Sequence, residues 1–466
     1  MPTTLGLRAD SKECPMSATR VLTAALALVL IAAVPARATS VPTLTVIDSI
    51  RPGSGGSYAL DAGYTTSLFG GWLYFAANDG TTGVELWRTN GTETQLVDNI
   101  NPGGSDSNVD YLTPLGDWLY FRANDGTTGL ELWRTNGTDT QLVEDIRLGS
   151  QDSAPYSYSA PFSDPYRFAR LGDWLYFSAF DDTNGRELWR TNGSDTQLVE
   201  DINPGTNGSN PEWFAAFGDW LYFAANDGTT GIELWRTNGS DTQLVEDIHS
   251  GDNSYPRAFA PLGEWLYFTG FVLATGWELY RTNGTDTQLV QDIAPAGLSS
   301  YPNNFAVLDD WIYFQAYDVT TGYELWRTNG TDAVLVQDTN PGSNSGGAYS
   351  LTPLGDWLYF QSDDGTNNIE LWRTNGTVTE RVPFPSGEYI SCDWCAERQI
   401  FTIGGRLFTP VYSAAIGNEF AYLDEPTYAL PETNRDASGW TMTLVILAGL
   451  TAAAGVGLVT RGAKGA

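Results

Sequence analysis

"GVELWRTNGTETQLVDNI", residues 83–100, decides the fold because it returns. It reappears as "GLELWRTNGTDTQLVEDI" at 129–146, as "GIELWRTNGSDTQLVEDI" at 231–248, and four further times with small edits. A second phrase keeps step with it. "WLYF" begins at 72, 118, 174, 220, 265 and 357, with "WIYF" at 311, so the period is 45 or 46 residues with one interval of 56. No helical spacing of apolar residues runs between the phrases. Each unit instead holds four short runs rich in β-branched and aromatic residues, separated by Gly, Asn, Pro and Asp.

In the second unit, strand a is expected near 111–116, strand b at 117–123, strand c at 130–135 and strand d at 140–146. Side chains alternate across a strand, so Trp118 and Tyr120 share one face while Leu119 and Phe121 share the other. A sheet apolar on both faces must be sandwiched. Strand d is more acidic and suits an outer edge. Four strands per unit, repeated and sandwiched, predict an all-β fold: a β-propeller of four-stranded antiparallel blades. A linear solenoid would need polar capping ends. Seven full units are present. Residues 399–425 read as a worn eighth set of strands a to c, with Glu419 in the place of the recurring Glu. "TLTVIDSI", 43–50, is similar to the strand-d phrase. The expectation is eight blades closed by this N-terminal strand, with seven as the alternative.

The phrase itself reads as a hairpin instruction. "RTNGTD" suggests a two-residue Asn-Gly loop of type I′. That register would set Arg134 opposite Asp139, and likewise Arg88 opposite Glu93, Arg190 opposite Asp195, Arg236 opposite Asp241, Arg281 opposite Asp286 and Arg327 opposite Asp332. Only Arg373, facing Val378, would break the pattern. Such a cross-strand pair contributes roughly 0.2–1 kcal/mol. Glu85, Glu131, Glu187, Glu233, Glu278, Glu324, Glu370 and Glu419 recur once per unit, so they cannot single out one site. They read as structural, satisfied by a neighbouring backbone or hydroxyl group. Asn90, Asn136, Asn192, Asn238, Asn283, Asn329 and Asn375 also spell glycosylation acceptors, but the turn explains them.

"ELWRTNGT" resembles the signature of bacterial ELWxxDGT-repeat proteins, with Asn where that signature has Asp. The likeness covers most of residues 43–425. It implies an exported, surface-associated propeller and no defined activity.

The ends have a different character. Residues 21–34, "VLTAALALVLIAAV", follow Arg20 and precede "ARA" at 36–38, the layout of a secretory signal cleaved after Ala38. Residues 1–38 are assigned to it, with Met16 as an alternative start. Residues 39–425 form the propeller and 426–439 a linker. Residues 440–459 are apolar or small and long enough to span a bilayer as a helix. Residues 460–466, with Arg461 and Lys464, would then form a cytoplasmic tail. Before this span stands "LPETN", Leu430, Pro431, Glu432, Thr433 and Asn434. Pentapeptide, apolar span and basic tail together resemble a sortase sorting signal of the LPxTG type, departing from it at Asn434. The resemblance implies cleavage after Thr433 and attachment to the cell envelope; a retained membrane anchor is the other reading.

Residues 39–434 hold 53 acids against 17 Arg and no Lys, a charge near −36. Such a field repels nucleic acid and attracts cations, and no basic groove for phosphates is present. Cys392 and Cys395, "CDWC", are the only cysteines of the exported body, too few for a zinc site and suited to a local disulfide. A single histidine, His249, and the lack of a G-x-S-x-G stretch leave little for catalysis.

Candidate chemistry lies in the loops. The b–c loop reads "NDGTTG" in three units, and its Asp recurs as Asp79, Asp125, Asp181, Asp227, Asp318 and Asp364, with Val272 in unit five. These carboxylates either close Asp-Gly turns on backbone N–H groups or help bind Ca2+. The d–a loops share that face in a propeller and bring Tyr111, Trp213, Tyr255, Tyr301 and Tyr349. The longer loop before unit three adds Tyr156, Tyr158 and Tyr166. Aromatic faces beside Asp and Asn suit a glycan, whose C–H surface stacks while its hydroxyls donate to carboxylates. The other reading packs these rings under strand a. A surface-displayed binding or adhesion propeller, recognising a glycan or an envelope protein, is the expectation. The alternatives are a carboxylate-dependent glycan hydrolase or lyase, for which Asp181, the long 148–169 loop and the irregular 386–425 region are the candidates, and a structural envelope component.

Overall fold

A computed structural model describes residue 50, residues 66–382 apart from 91–92, 154–167 and 367–368, and parts of 388–448. The signal segment with Ala38, the 43–49 strand, Tyr156, Tyr158, Tyr166, Cys392, Cys395 and the pentapeptide Leu430–Asn434 lie outside the described residues. So does most of the 440–459 span. Among the described residues no helix is long and apolar enough to cross a membrane.

The chain builds a β-propeller. Seven sheets each take four consecutive strands, antiparallel and in chain order. In blade two these are Asp110–Leu115, Trp118–Asn124, Leu130–Thr135 and Thr140–Glu144, within two residues of the expected spans. The regular blades therefore number seven, the smaller of the two expected counts. An eighth sheet follows but is built differently. Arg406–Ser413 pairs with Gly417–Asp424, setting Val411 opposite Glu419 as Ala123 lies opposite Glu131, and Phe401–Ile403 takes the place of strand a. Among the described residues no repeating strand d follows Asp424; Leu447–Ala448 pairs with Glu419–Phe420, and Glu388–Tyr389 is added beside Arg406–Ser413. Among the described residues the eighth sheet therefore lacks the four-strand chain order of the other seven.

Alternation along strand b explains why the sheets stack. Leu119, Phe121 and Ala123 pack against Tyr74, Leu86 and Ile100 of blade one. Tyr120 and Leu132 face the other way, onto Leu175, Phe177 and Ala179 of blade three. The Tyr and Phe of this phrase are almost wholly buried, and emptying one such Phe would cost about 3–5 kcal/mol. Blade seven packs in the same way on Ile400 and Leu407 of the eighth sheet. Ile50 lies against Phe75 and Ala77, the partners matching those that Ile100 meets in blade two.

The hairpin register corrects the sequence reading. Thr135 pairs with Thr140 and Arg134 with Gln141, so the loop has four residues rather than two. The reason is local hydrogen bonding. Asn136 Oδ1 accepts the N–H groups of Thr138 and Asp139 at 2.9 and 2.8 Å, and Gly137 N–H donates to Thr135 Oγ1 at 3.0 Å. A turn that satisfies its own donors in this way holds Asp139 inside the loop. Arg88, Arg190, Arg236 and Arg281 likewise face Gln, and Arg327 faces Val334. Arg373, expected to be the exception, faces an acid: its Nε donates to Glu380 at 2.8 Å.

The arginine stacks within its own blade and is capped by the next. Arg134 Cζ stacks 4.3 Å over Trp118, and the arginines of the other blades do the same at 4.1–4.4 Å. The next blade's Asn-Gly loop then closes on it. A Cβ at Gly193 would collide with Arg134 Nη1 and Tyr120 Oη, and Gly239, Gly284, Gly330 and Gly376 meet the preceding blade identically. Arg281 Nη1 donates to Gly330 O at 2.7 Å. The Gly is thus required twice, by its positive φ and by the close approach. The repeated phrase is a fastening from each blade to its neighbour.

Candidate functional site

The loop ends are pinned before any ligand group is considered. Glu233 is fully buried, and its carboxyl accepts Ile248 N–H at 2.9 Å, Ser254 N–H at 2.9 Å and the Ser254 hydroxyl at 2.6 Å. Ile248 begins the d–a loop and Ser254 ends it, so one side chain clasps both. Glu131, Glu187, Glu278 and Glu324 repeat the device with their own loops, while Glu85 holds Ile100 N–H at 2.9 Å and Ser107 bonds to Val84 O. Burial pushes Glu85, Glu187, Glu233 and Glu278 up to about 7 and Glu131 to about 8, the hydrogen bonds restraining the rise. Glu370 differs, pairing with Arg381 at 2.8 Å. A second clasp escaped the sequence reading: the residue before the Ser caps strand c, as Asp106 Oδ1 does for Val84 N–H at 2.7 Å and Asn253 Oδ1 for Ile232 N–H at 2.7 Å.

The b–c loop carboxylates close their own turns. Asp79 Oδ1 accepts Thr81 N–H, Thr82 N–H and the Thr82 hydroxyl at 2.7–3.0 Å. Burial acts to raise its pKa, but the N–H groups of Thr82 and Thr81 outweigh it and hold it down at about 2. Asp125 and Asp227 are lowered in the same way. Asp181, Asp318 and Asp364 bond to Thr183, Thr320 and Thr366. Among the described residues no three His, Cys, Asp or Glu converge on a point where a metal ion could be held, so a Ca2+ site would have to be completed by carbonyl oxygens.

The aromatic candidates separate into three kinds of position. Tyr111 and Trp213 occupy a bulge in strand a, at φ 59° and 60°. Tyr111 packs on the core between blades two and three, edge-on to Phe168 at 6.2 Å, and Trp213 on that between blades four and five. Packing is the reading that fits these two. Tyr349 starts strand a of blade seven opposite Gln361. Tyr255 and Tyr301 are different. They stand ten residues before the strand-b Trp, where other blades have Asn108, Asn210 and Gly347, and all five residues are in the left-handed region. Gly and Asn adopt that region at little cost; a bulky aromatic does not. Yet Tyr255 and Tyr301 hold φ 45° and 47° with 41% and 40% of their surface exposed.

Between them lies Trp277, which the sequence reading missed. Tyr255 is 5.9 Å from Trp277 at an interplanar angle of 33°, and Trp277 is 6.5 Å from Tyr301 at 26°. The backbone fixes both tyrosines: Tyr255 N–H donates to Ile232 O at 3.2 Å and Tyr301 N–H to Trp277 O at 3.1 Å. Asn253 Nδ2 holds the Tyr255 hydroxyl at 2.9 Å. Phe271 supports Trp277 at 5.5 Å and His249 supports Phe271 at 5.6 Å. Tyr323 repeats the Trp277 position in blade six, against Tyr317 at 5.2 Å. Leu273, Leu298 and Val319 are exposed in the hairpins and loop beside these rings. The signal was in the sequence. The residue before the recurring Glu is Val84, Leu130, Arg186, Ile232 and Ile369 elsewhere, and aromatic only in units five and six.

No protein-family model matches the chain, and no curated protein matches it. Solved structures similar to it include propeller-containing hydrolases. A prolyl endopeptidase aligns with TM-score 0.42 and 12% identity over 78% of this chain and 55% of its own. The GH74 xyloglucanase of Xanthomonas campestris gives 0.36 and 14% over 81% and 75%. A puromycin hydrolase gives 0.37 and 13% over 80% and 60%. The chain spans just over half the length of the first of these. At such similarities they carry nothing about what this chain binds.

Proposed function

We propose that this protein is a non-enzymatic binding propeller, displayed on the cell surface, that takes a glycan on the aromatic row of blades five and six. The observation that carries this reading is the row Tyr255–Trp277–Tyr301, in which two exposed tyrosines sit in strained backbone where blades two, four and seven use Asn or Gly. Tyr111 and Trp213 share such strain but pack on the core, whereas the strain at Tyr255 and Tyr301 holds exposed rings, as at a functional position. Rings held by backbone bonds offer a rigid stacking surface with little ordering cost on binding. Surface display rests on the signal-like start and the LPETN-type end, and an envelope protein is a further partner on the same face. The binding reading is supported over a hydrolase or lyase by the engagement of Glu85, Glu131, Glu187, Glu233, Glu278 and Glu324 with loop N–H groups, of Glu370 in an ion pair, and of the loop Asp residues in turns. A glycan array, run with and without Ca2+ on residues 39–434, tests the proposal. Binding that falls at least about tenfold in Tyr255→Ala and Tyr301→Ala, the scale of losing one stacked sugar ring, is expected. An array without a single bound glycan overturns it.

A further inference from the structure

Resting on that glycan reading, we infer that the row recognises an acidic sugar, with Arg257 as the carboxylate subsite. Arg257 Cζ lies 3.9 Å from the Trp277 ring centre, so the guanidinium face is used in stacking. Its N–H donors project from the edge of that plane and stay available for a planar, two-point contact with a carboxylate.

Among the described residues nothing fills that edge. Among the described residues Arg257 has neither an ion pair nor a hydrogen bond from its side chain. The residue opposite it in the sheet is Thr269, whose hydroxyl donates to Pro302 O. Burial pulls the guanidinium below its ordinary value, with Tyr301 acting weakly against it. Blade two fills the same two register positions the other way round, with Asp110 in the place of Arg257 and Arg122 in that of Thr269. There Arg122 stacks 4.8 Å over Tyr111, and Asp110, opposite it in register, closes its edge at 3.5 Å. In blade five the arginine stands on strand a, stacks on Trp277 of strand c and faces Thr269, which offers no carboxylate. An incoming uronate would supply it while its ring lies along Tyr255 or Tyr301.

The geometry also assigns specificity within an acidic body. The overall charge of −32 disfavours polyanions at long range, so the contact must be made at short range and depend on Arg257. The probes are polygalacturonate and the same polymer fully methyl-esterified, titrated against wild-type protein, Arg257→Gln and Arg257→Lys. Unchanged unfolding midpoints confirm that each variant is folded. Wild type should prefer the acid form by about tenfold or more, the scale of a charge-assisted hydrogen-bonded pair. Arg257→Gln should lose that preference while keeping its affinity for the ester, and Arg257→Lys should fall between. Equal wild-type affinity for both polymers, with Arg257→Gln changing neither, overturns the acidic-sugar inference and leaves the glycan reading standing. No wild-type binding to either polymer overturns the inference, and the wider array then judges the parent reading alone.

Discussion

Replacing Tyr255 and Tyr301 by Asn separates a binding surface from a packing surface. Asn is the residue of blades two and four at this position, at φ 52° and 51°, so the backbone need not move. A non-Gly residue in the left-handed region costs about 1–3 kcal/mol, and Asn, whose short side chain tolerates it, recovers part of that. Against this stands the loss of one aromatic pair with Trp277, about 0.5–1.5 kcal/mol, and of the partly buried ring face. The terms offset, and each variant should unfold within about 1 kcal/mol of wild type by chemical denaturation followed with circular dichroism. Phe268→Ala, a wholly buried ring in the same blade, should lose about 3–5 kcal/mol in the same assay. Glycan binding, measured in parallel, should be lost in both Asn variants. If Tyr255→Asn is destabilised as much as Phe268→Ala, the tyrosine is a packing residue and the strain argument fails.

The blade fastening is tested by a pair of glycines. Gly284→Ala meets Arg236 and Tyr222 of the preceding blade and should destabilise by more than about 2 kcal/mol, whereas Gly263→Ala, at φ 60° with open space around it, should cost about 1 kcal/mol from backbone strain alone; equal losses in thermal unfolding refute the inter-blade role. The buried glutamates set a pH dependence. Their folded pKa values of about 7–8 lie above the ordinary 4.5, so their contribution is fully present below pH 4.5 and is lost as pH rises through 7 to 8. The protein should unfold at a higher denaturant concentration at pH 5 than at pH 8.5, with a shallower slope in Glu233→Gln. A midpoint that rises with pH across this window counts against the clasp being protonated at low pH.

Much of the architecture was legible because the repeat exposes its own logic. A strand written Trp-Leu-Tyr-Phe is apolar on both faces, and only neighbours on both sides can bury it. That established blades, their strand order and the structural role of Glu85 and its equivalents. Register was not legible. Arg134 and Asp139 are spaced for a two-residue turn, but Asn136 and Thr135 take up the loop's N–H groups and add two residues to it, which moves every partner along the ladder.

The candidate site was half legible. Aromatic loop residues can be counted from a sequence, but Tyr111 and Tyr255 look alike there. The fold places Tyr111 in a bulge against the core and Tyr255 ten residues before its blade's Trp, at a left-handed position open to solvent. The row with Trp277 joins a d–a loop, a b–c hairpin and the next d–a loop, segments more than 20 residues apart. Likewise, a missing carboxylate beside Arg257 becomes visible only once the sheet puts Thr269 opposite it. Periodicity is a property of the chain and survives without coordinates; which repeated position faces solvent, and which charge lacks its partner, depends on contacts between strands far apart in sequence.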